Sequence, residues 1–142
     1  MSADENIFIV RRMVDELNKG NLDIMDEVCG SQYVYHFTEN RDWDLQRIKK
    51  AMAMMLIAFP KWKITIEDIF AADDKCAYRL TCQGTHLGEL WGAQPTGKLM
   101  TWTAMLIDRF EDGKIVEEWE IIDFLGLRRQ LGLIPEPEKV KG

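Results

Sequence analysis

The run LMTWTAMLIDRFEDGKIVEEWEIID, Leu99 to Asp123, decides the fold. Two stretches of strand-forming residues, Leu99–Phe110 and Lys114–Asp123, flank Asp112-Gly113, a dipeptide suited to a tight hairpin turn. In the second stretch Ile115, Glu117, Trp119, Ile121 and Asp123 share one face, and Val116, Glu118, Glu120 and Ile122 share the other. The acidic face is predicted to meet water and the Trp119 face to turn inward. Asp123 then ends an apolar face beside hydrophobic neighbours, where desolvation raises a carboxyl pKa and suits it to proton transfer near neutral pH. The competing reading is that Asp123 caps a short helix starting near Phe124.

Upstream, Lys63–Ala71 and Lys75–His86 suit two further strands, joined through Ala72-Asp73-Asp74. Before them the period changes. Ile7, Val10, Met13, Val14 and Leu17 recur at helical spacing between Asp4 and Lys19, with Gly20 as a stop. A short helix is predicted near Leu22–Val28, and YVYHF, Tyr33–Phe37, reads as an aromatic strand. A third helix is capped by Asp44, carries Leu45, Ile48, Met52, Met55, Leu56 and Phe59 on its apolar side, and ends at Pro60. Three helices followed by long antiparallel strands predict an α+β domain over residues 1–142, with helices on one face of a curved, mainly antiparallel sheet and a polar tail from about residue 133. The uncovered part of the concave face forms a pocket.

The formal net charge of −6 excludes a phosphate-backbone partner, which requires clustered Lys and Arg; Arg128-Arg129 is too small a group. Cys29, Cys76 and Cys82 are odd in number and lack metal-ligand spacing, so they read as buried thiols in a reducing, cytoplasmic compartment, with no metal and no cofactor. No apolar run reaches membrane-spanning length, and the polar start MSADENIF is unlike a signal peptide. Five Trp and eight Met are abundant for 142 residues. Met52, Met54, Met55, Trp62, Trp102, Met105 and Trp119 lie on pocket-forming elements, where flat rings and flexible thioethers suit a bulky ligand or fill the core.

The run GTHLGELWGAQPTGK, Gly84 to Lys98, followed by DRFEDGKIVEEW and DFLGLRRQLG, resembles the SnoaL-like polyketide cyclases of the nuclear transport factor two-like superfamily. The resemblance implies a cone-shaped α+β barrel enclosing a hydrophobic small-molecule substrate, in a homodimer or homotetramer. It also implies a general acid–base Asp in the W-x-x-x-D segment, matched by Asp123. A histidine assists in those enzymes; the position aligned with it, fourteen residues earlier, is Arg109. Arginine stays protonated and cannot shuttle a proton, but it can stabilise an enolate oxygen.

Two hairpin registers are open. A plain two-residue turn sets Glu111 opposite Lys114 and points Arg109 away from Asp123; a bulge at Gly113 sets Phe110 opposite Lys114 and brings Arg109 onto the Asp123 face. The resemblance favours the bulge, whereas a surface pair of Arg109 with Asp108 or Glu117 is the structural alternative. On YVYHF the resemblance places His36 towards the pocket, as acid–base or orienting group; a hydrogen-bonded core histidine is the alternative. His86 either contacts substrate or pins the loop Leu87–Lys98, which reads as a flap over the pocket. The expected function is cofactor-independent cyclisation or isomerisation of a hydrophobic carbonyl compound, with Asp123, Arg109 and His36 at the chemistry and Trp119, Trp102, Trp62, Met54, Met105, Tyr35 and His86 around the substrate. The alternatives are epoxide opening, ligand binding without turnover, and a dimerising interaction module.

Overall fold

The computed structural model describes residues 2–37 and 41–138; residues 139–142 of the expected tail lie outside them. Helix α1, Ala3–Asn18, starts where Ser2 Oγ accepts the Glu5 N–H at 3.1 Å, with Asp4 and Glu5 in the first turn where the helix dipole favours negative charge. Its stripe of Val10, Met13, Val14 and Leu17 is buried, and Gly20, at φ +82°, supplies the left-handed residue that lets the chain leave. Helix α2 is short, Ile24–Val28. Helix α3, Leu45–Ala58, starts at Asp44, whose Oδ1 accepts the Arg47 N–H at 2.8 Å.

Strands β1 (Cys29–Phe37), β2 (Arg41–Trp43), β3 (Lys63–Ala72), β4 (Lys75–Thr85), β5 (Leu99–Glu111) and β6 (Lys114–Ile122) form one sheet in the order β2-β1-β6-β5-β4-β3. β1 runs parallel to β6 and the remaining pairs are antiparallel. The sheet has open edges at β2 and β3, so the expected barrel is an unclosed cone. β1 begins earlier than the aromatic run predicts, and β2 had no signal of its own. Helix α4, Phe124–Gln130, follows β6 and buries Leu127. α1 packs on β3 and β4, where the Asn18 carboxamide accepts the Ile64 N–H at 2.6 Å and donates to the Ile64 carbonyl at 2.9 Å, pairing part of an edge strand that would otherwise be open.

β4 and β5 alternate strictly, burying Cys76, Tyr78, Leu80 and Cys82 on one and Met100, Trp102, Ala104, Leu106, Asp108 and Phe110 on the other. At the β5–β6 turn Asp112 and Gly113 both have positive φ, 48° and 77°, and Glu111 faces Lys114. The turn is therefore the plain two-residue form, and the bulge expected at Gly113 is absent. A bulge does occur further along. Phe110 faces Ile115, yet Arg109 faces Glu117, which leaves Val116 as an extra residue in β6. That single insertion reverses the facing of every later side chain. Ile115 and then Glu118, Glu120 and Ile122 point inward, while Glu117, Trp119 and Ile121 point outward. The face read from sequence as wet and acidic is the inner one.

Candidate active site

Between the concave sheet and the helices lies a cavity of about 340 Å³, a volume suited to a small organic ligand. Its wall includes Tyr35, Trp62, Tyr78, Trp102, Glu118 and Glu120, with Met52, Met54 and Met55 contributed by α3. Trp43, Trp91, Phe124, Arg47 and Arg128 also line it.

Carboxyl groups and phenols meet on the inner sheet face. The Tyr35 hydroxyl, on β1, donates to Glu120 Oε1 at 2.5 Å. The Tyr33 hydroxyl donates to Glu118 Oε1. The Tyr78 hydroxyl, on β4, lies 2.7 Å from Asp108 Oδ2 and 3.2 Å from Glu118 Oε2, so its one proton is shared between two acceptors. Asp108 is fully buried and Glu118 nearly so. Burial, together with the Glu118 charge, pushes the Asp108 carboxyl well above the usual carboxylate range. Burial likewise pushes Glu120 up to about 8, against the opposing effect of the Tyr35 hydrogen bond. The three tyrosines are raised too, chiefly by burial, and remain proton donors. The arrangement supplies one carboxyl group poised near neutrality on the cavity wall, backed by a second carboxyl whose oxygens are fixed by phenol donors.

Sequence reading did not single out Glu120, Glu118, Asp108, Tyr33 or Tyr78. Asp108 carried a signal: it stands in phase with Leu106 and Phe110, a carboxyl in an otherwise apolar inward series. For Glu118 and Glu120 the phase was hidden by the Val116 bulge.

Of the expected residues, Tyr35, Trp62, Trp102 and Met54 line the cavity. Asp123 does not. It is exposed, and its Oδ1 accepts the Gly126 N–H at 2.9 Å as the N-cap of α4, so it lacks the apolar surroundings the strand pattern predicted. Arg109 shares the Asp123 side of the sheet, but that is the outer side. Its guanidinium pairs with Glu117 at 2.9 Å and Glu111 at 2.7 Å. His36 is also on the outer side, 2.6 Å from Glu117 and 2.8 Å from Asp42. Burial works against its charge, but these two bonds outweigh it and hold the imidazole above its ordinary pKa. Trp119 stacks on His36 outside the cavity with ring centroids 5.1 Å apart, and Met105 is exposed opposite Ile121. For Trp119 and Asp123 the cause is the reversed phase of β6, whereas Met105 and Arg109 lie on the outward phase of β5 and His36 on that of β1.

His86 is fully buried away from the cavity wall. Its Nδ1 accepts the Thr96 N–H at 3.2 Å, which ties together the two ends of the loop. Leu90 and Ala93 exchange backbone hydrogen bonds at 3.0 and 2.8 Å, and the Leu87 N–H donates to the Ala58 carbonyl at 2.9 Å. Leu87–Lys98 is thus docked on the end of α3, and it presents Leu90 and Trp91 to the cavity.

The model of the SnoaL-like polyketide cyclase family matches residues 8–131. Aklanonic acid methyl ester cyclase AcmA of Streptomyces galilaeus is 32% identical over 138 residues, covering 94% of this chain and 94% of that protein. The corresponding cyclase DnrD of Streptomyces peucetius is 29% identical over 131 residues, covering 89% and 90%. Among solved structures, AclR of Streptomyces galilaeus, a proposed hydroxylase, superposes with a TM-score of 0.91 at 32% identity, covering 97% of this chain and 87% of that one. No helix among the described residues is long and apolar enough to cross a membrane. The chain belongs to the SnoaL-like polyketide cyclase family.

Proposed function

We propose that the protein is a cofactor-independent cyclase in which Glu120 closes a ring by an intramolecular aldol reaction on a hydrophobic polyketide-type substrate. The observation that carries this reading is the position of Glu120 on the cavity wall, held by Tyr35 and with a pKa pushed up to about 8. A general acid–base works best when its pKa lies near the operating pH. In its ionised form Glu120 takes a proton from the carbon next to a carbonyl. The resulting enolate carbon attacks a second carbonyl of the same molecule, and the alkoxide formed takes the proton back from Glu120. No atom is gained or lost, so one carboxyl group serves both half-steps. The Tyr35 hydroxyl orients that carboxyl, and Trp62 and Trp102 exclude water, which strengthens the electrostatics inside the cavity.

The free, buried Cys29, Cys76 and Cys82 support a reducing, cytoplasmic setting. The exposed outer-face residues Met105, Trp119 and Ile121 support self-association through the sheet.

The test compares wild type and E120Q on a linear or partly cyclised polyketide ester, following binding and product together. The expected product is isomeric with the substrate by mass, and E120Q binds but fails to form it. A product heavier by one oxygen would replace ring closure with hydroxylation, and full turnover by E120Q would remove Glu120 from the chemistry.

A further inference from the structure

One side of the cavity is a continuous aromatic band. It starts at Tyr35, the residue bonded to Glu120, whose ring lies 5.8 Å from Trp43. Trp43 stacks on Phe37 at 4.3 Å and 12°, Phe37 lies 5.6 Å from Phe124, and Phe124 lies 5.6 Å from Trp91. Two arginines lie against this band. The Arg47 guanidinium is 4.9 Å from the Trp43 ring centre, and that of Arg128 is 5.0 Å from Trp91 and 5.4 Å from Phe124. Both line the cavity.

The chain carries 24 acidic against 18 basic residues, so an arginine without a carboxylate neighbour stands out. Arg12, Arg79 and Arg109 each have one within 2.9 Å. Among the described residues Arg11, Arg47, Arg128 and Arg129 have no carboxylate partner, and of these Arg47 and Arg128 line the cavity, where aromatic faces hold both. Each guanidinium is held over a ring by cation–π attraction, and its planar fork of N–H donors can grip a planar anion with two parallel bonds. The β6 wall is unsuited to an anion, because Glu118 and Glu120 already concentrate carboxyl oxygens there. That wall and the arginines therefore differ in the charge they accept.

We propose that the cavity binds a flat, fused-ring substrate carrying a free carboxylate, with the rings along the aromatic band, the carboxylate at Arg47 and Arg128, and the reacting carbonyl towards Glu120. This substrate class rests on the proposed cyclase reading of the same cavity. It departs from the methyl esters named for the cyclase relatives, in which the corresponding acid is masked.

The experiment titrates the protein with anthraquinone-2-carboxylate and with its methyl ester by calorimetry. Wild type is expected to bind the acid about tenfold more tightly, as a charge-assisted hydrogen bond in place of a neutral one allows, and added salt is expected to narrow the gap. R47Q/R128Q is expected to weaken the acid by about that factor and leave the ester unchanged. R128K retains the charge but not the planar fork of donors, and is expected to fall between the two. Equal affinity for acid and ester, equal weakening of both in the double variant, or binding of neither probe would overturn the proposal. Measuring E120Q turnover alongside separates the two readings: loss of turnover in E120Q without an acid preference sinks only the carboxylate proposal, and an acid preference with unchanged E120Q turnover sinks only the cyclase mechanism.

Discussion

Trp119 and Glu120 are adjacent in sequence and lie on opposite sides of the sheet, Trp119 stacked on His36 outside and Glu120 bonded to Tyr35 inside. The pKa of Glu120 depends on that inner hydrogen bond, which opposes the effect of burial. In Y35F the opposition is gone and the pKa of Glu120 rises above about 8. The ionised fraction at pH 7 falls about tenfold for each unit of rise. The pH–rate profile of kcat/KM, expected to climb through about pH 8 in wild type, should therefore move to higher pH in Y35F. A profile that does not move would detach Tyr35 from the chemistry.

Glu120 also links stability to pH. Its carboxyl holds a proton more tightly in the folded protein, at about 8, than in the unfolded chain, where it has the ordinary glutamate value of about 4.5. Its contribution is thus fully present below about pH 4.5 and is lost as pH rises through about 8. Wild type should lose stability relative to E120Q across that window, by at most about 1.4 kcal/mol per pH unit. Thermal melts of both proteins at pH 5, 6.5 and 8 check the sign. A constant difference would mean that Glu120 is not buried as described.

Asp123 is placed as a helix cap, so D123A should cost about 1 kcal/mol of stability with turnover within about threefold of wild type. D123N retains an acceptor oxygen and should cost less. Chemical denaturation and initial rates decide this, and abolished turnover in D123N would return the chemistry to the end of β6.

Gly88 approaches the end of α3 so closely that an added Cβ would lie 2.2 Å from the Ile57 carbonyl oxygen and 2.8 Å from its carbon. Backbone atoms on both sides must shift to admit it. G88A should cost about 2–4 kcal/mol, in the range of severe overpacking, and should displace Trp91 from the cavity. The readouts are the melting temperature and a raised KM, and an unchanged KM would mean that the loop does not shape the site.

The outer face offers Met105 beside Ile121 and Ile107 beside Trp119 as cross-strand pairs, all four substantially exposed. If two copies meet there, I121D places a charge in the contact and should lower the sedimenting mass to that of one chain. R109Q, which breaks pairs at the margin of that face, should leave ring closure within about twofold because Arg109 lies outside the cavity. A large loss of turnover in R109Q would contradict that placement.

Local patterning determined the fold. Ser2 and Asp44 are caps with helical spacing behind them, Gly20 and Pro60 mark helix ends, and the alternation in β4 and β5 is unbroken. These features act over a few residues, which is why the α+β class, the helix order, the Asp112-Gly113 turn and the cavity positions of Trp62 and Trp102 were legible in the chain. Tertiary structure decided which face of β6 looks inward. Pairing with β5 places the extra residue at Val116, and no local signal marks a bulge at that β-branched residue. Because side chains alternate with a period of two, that one residue moved Glu118 and Glu120 into the cavity and Trp119 out of it. The phenols that bond those carboxyls come from β1 and β4, far away in the sequence. Their meeting depends on how the strands are ordered across the sheet, a property no single stretch of the sequence contains.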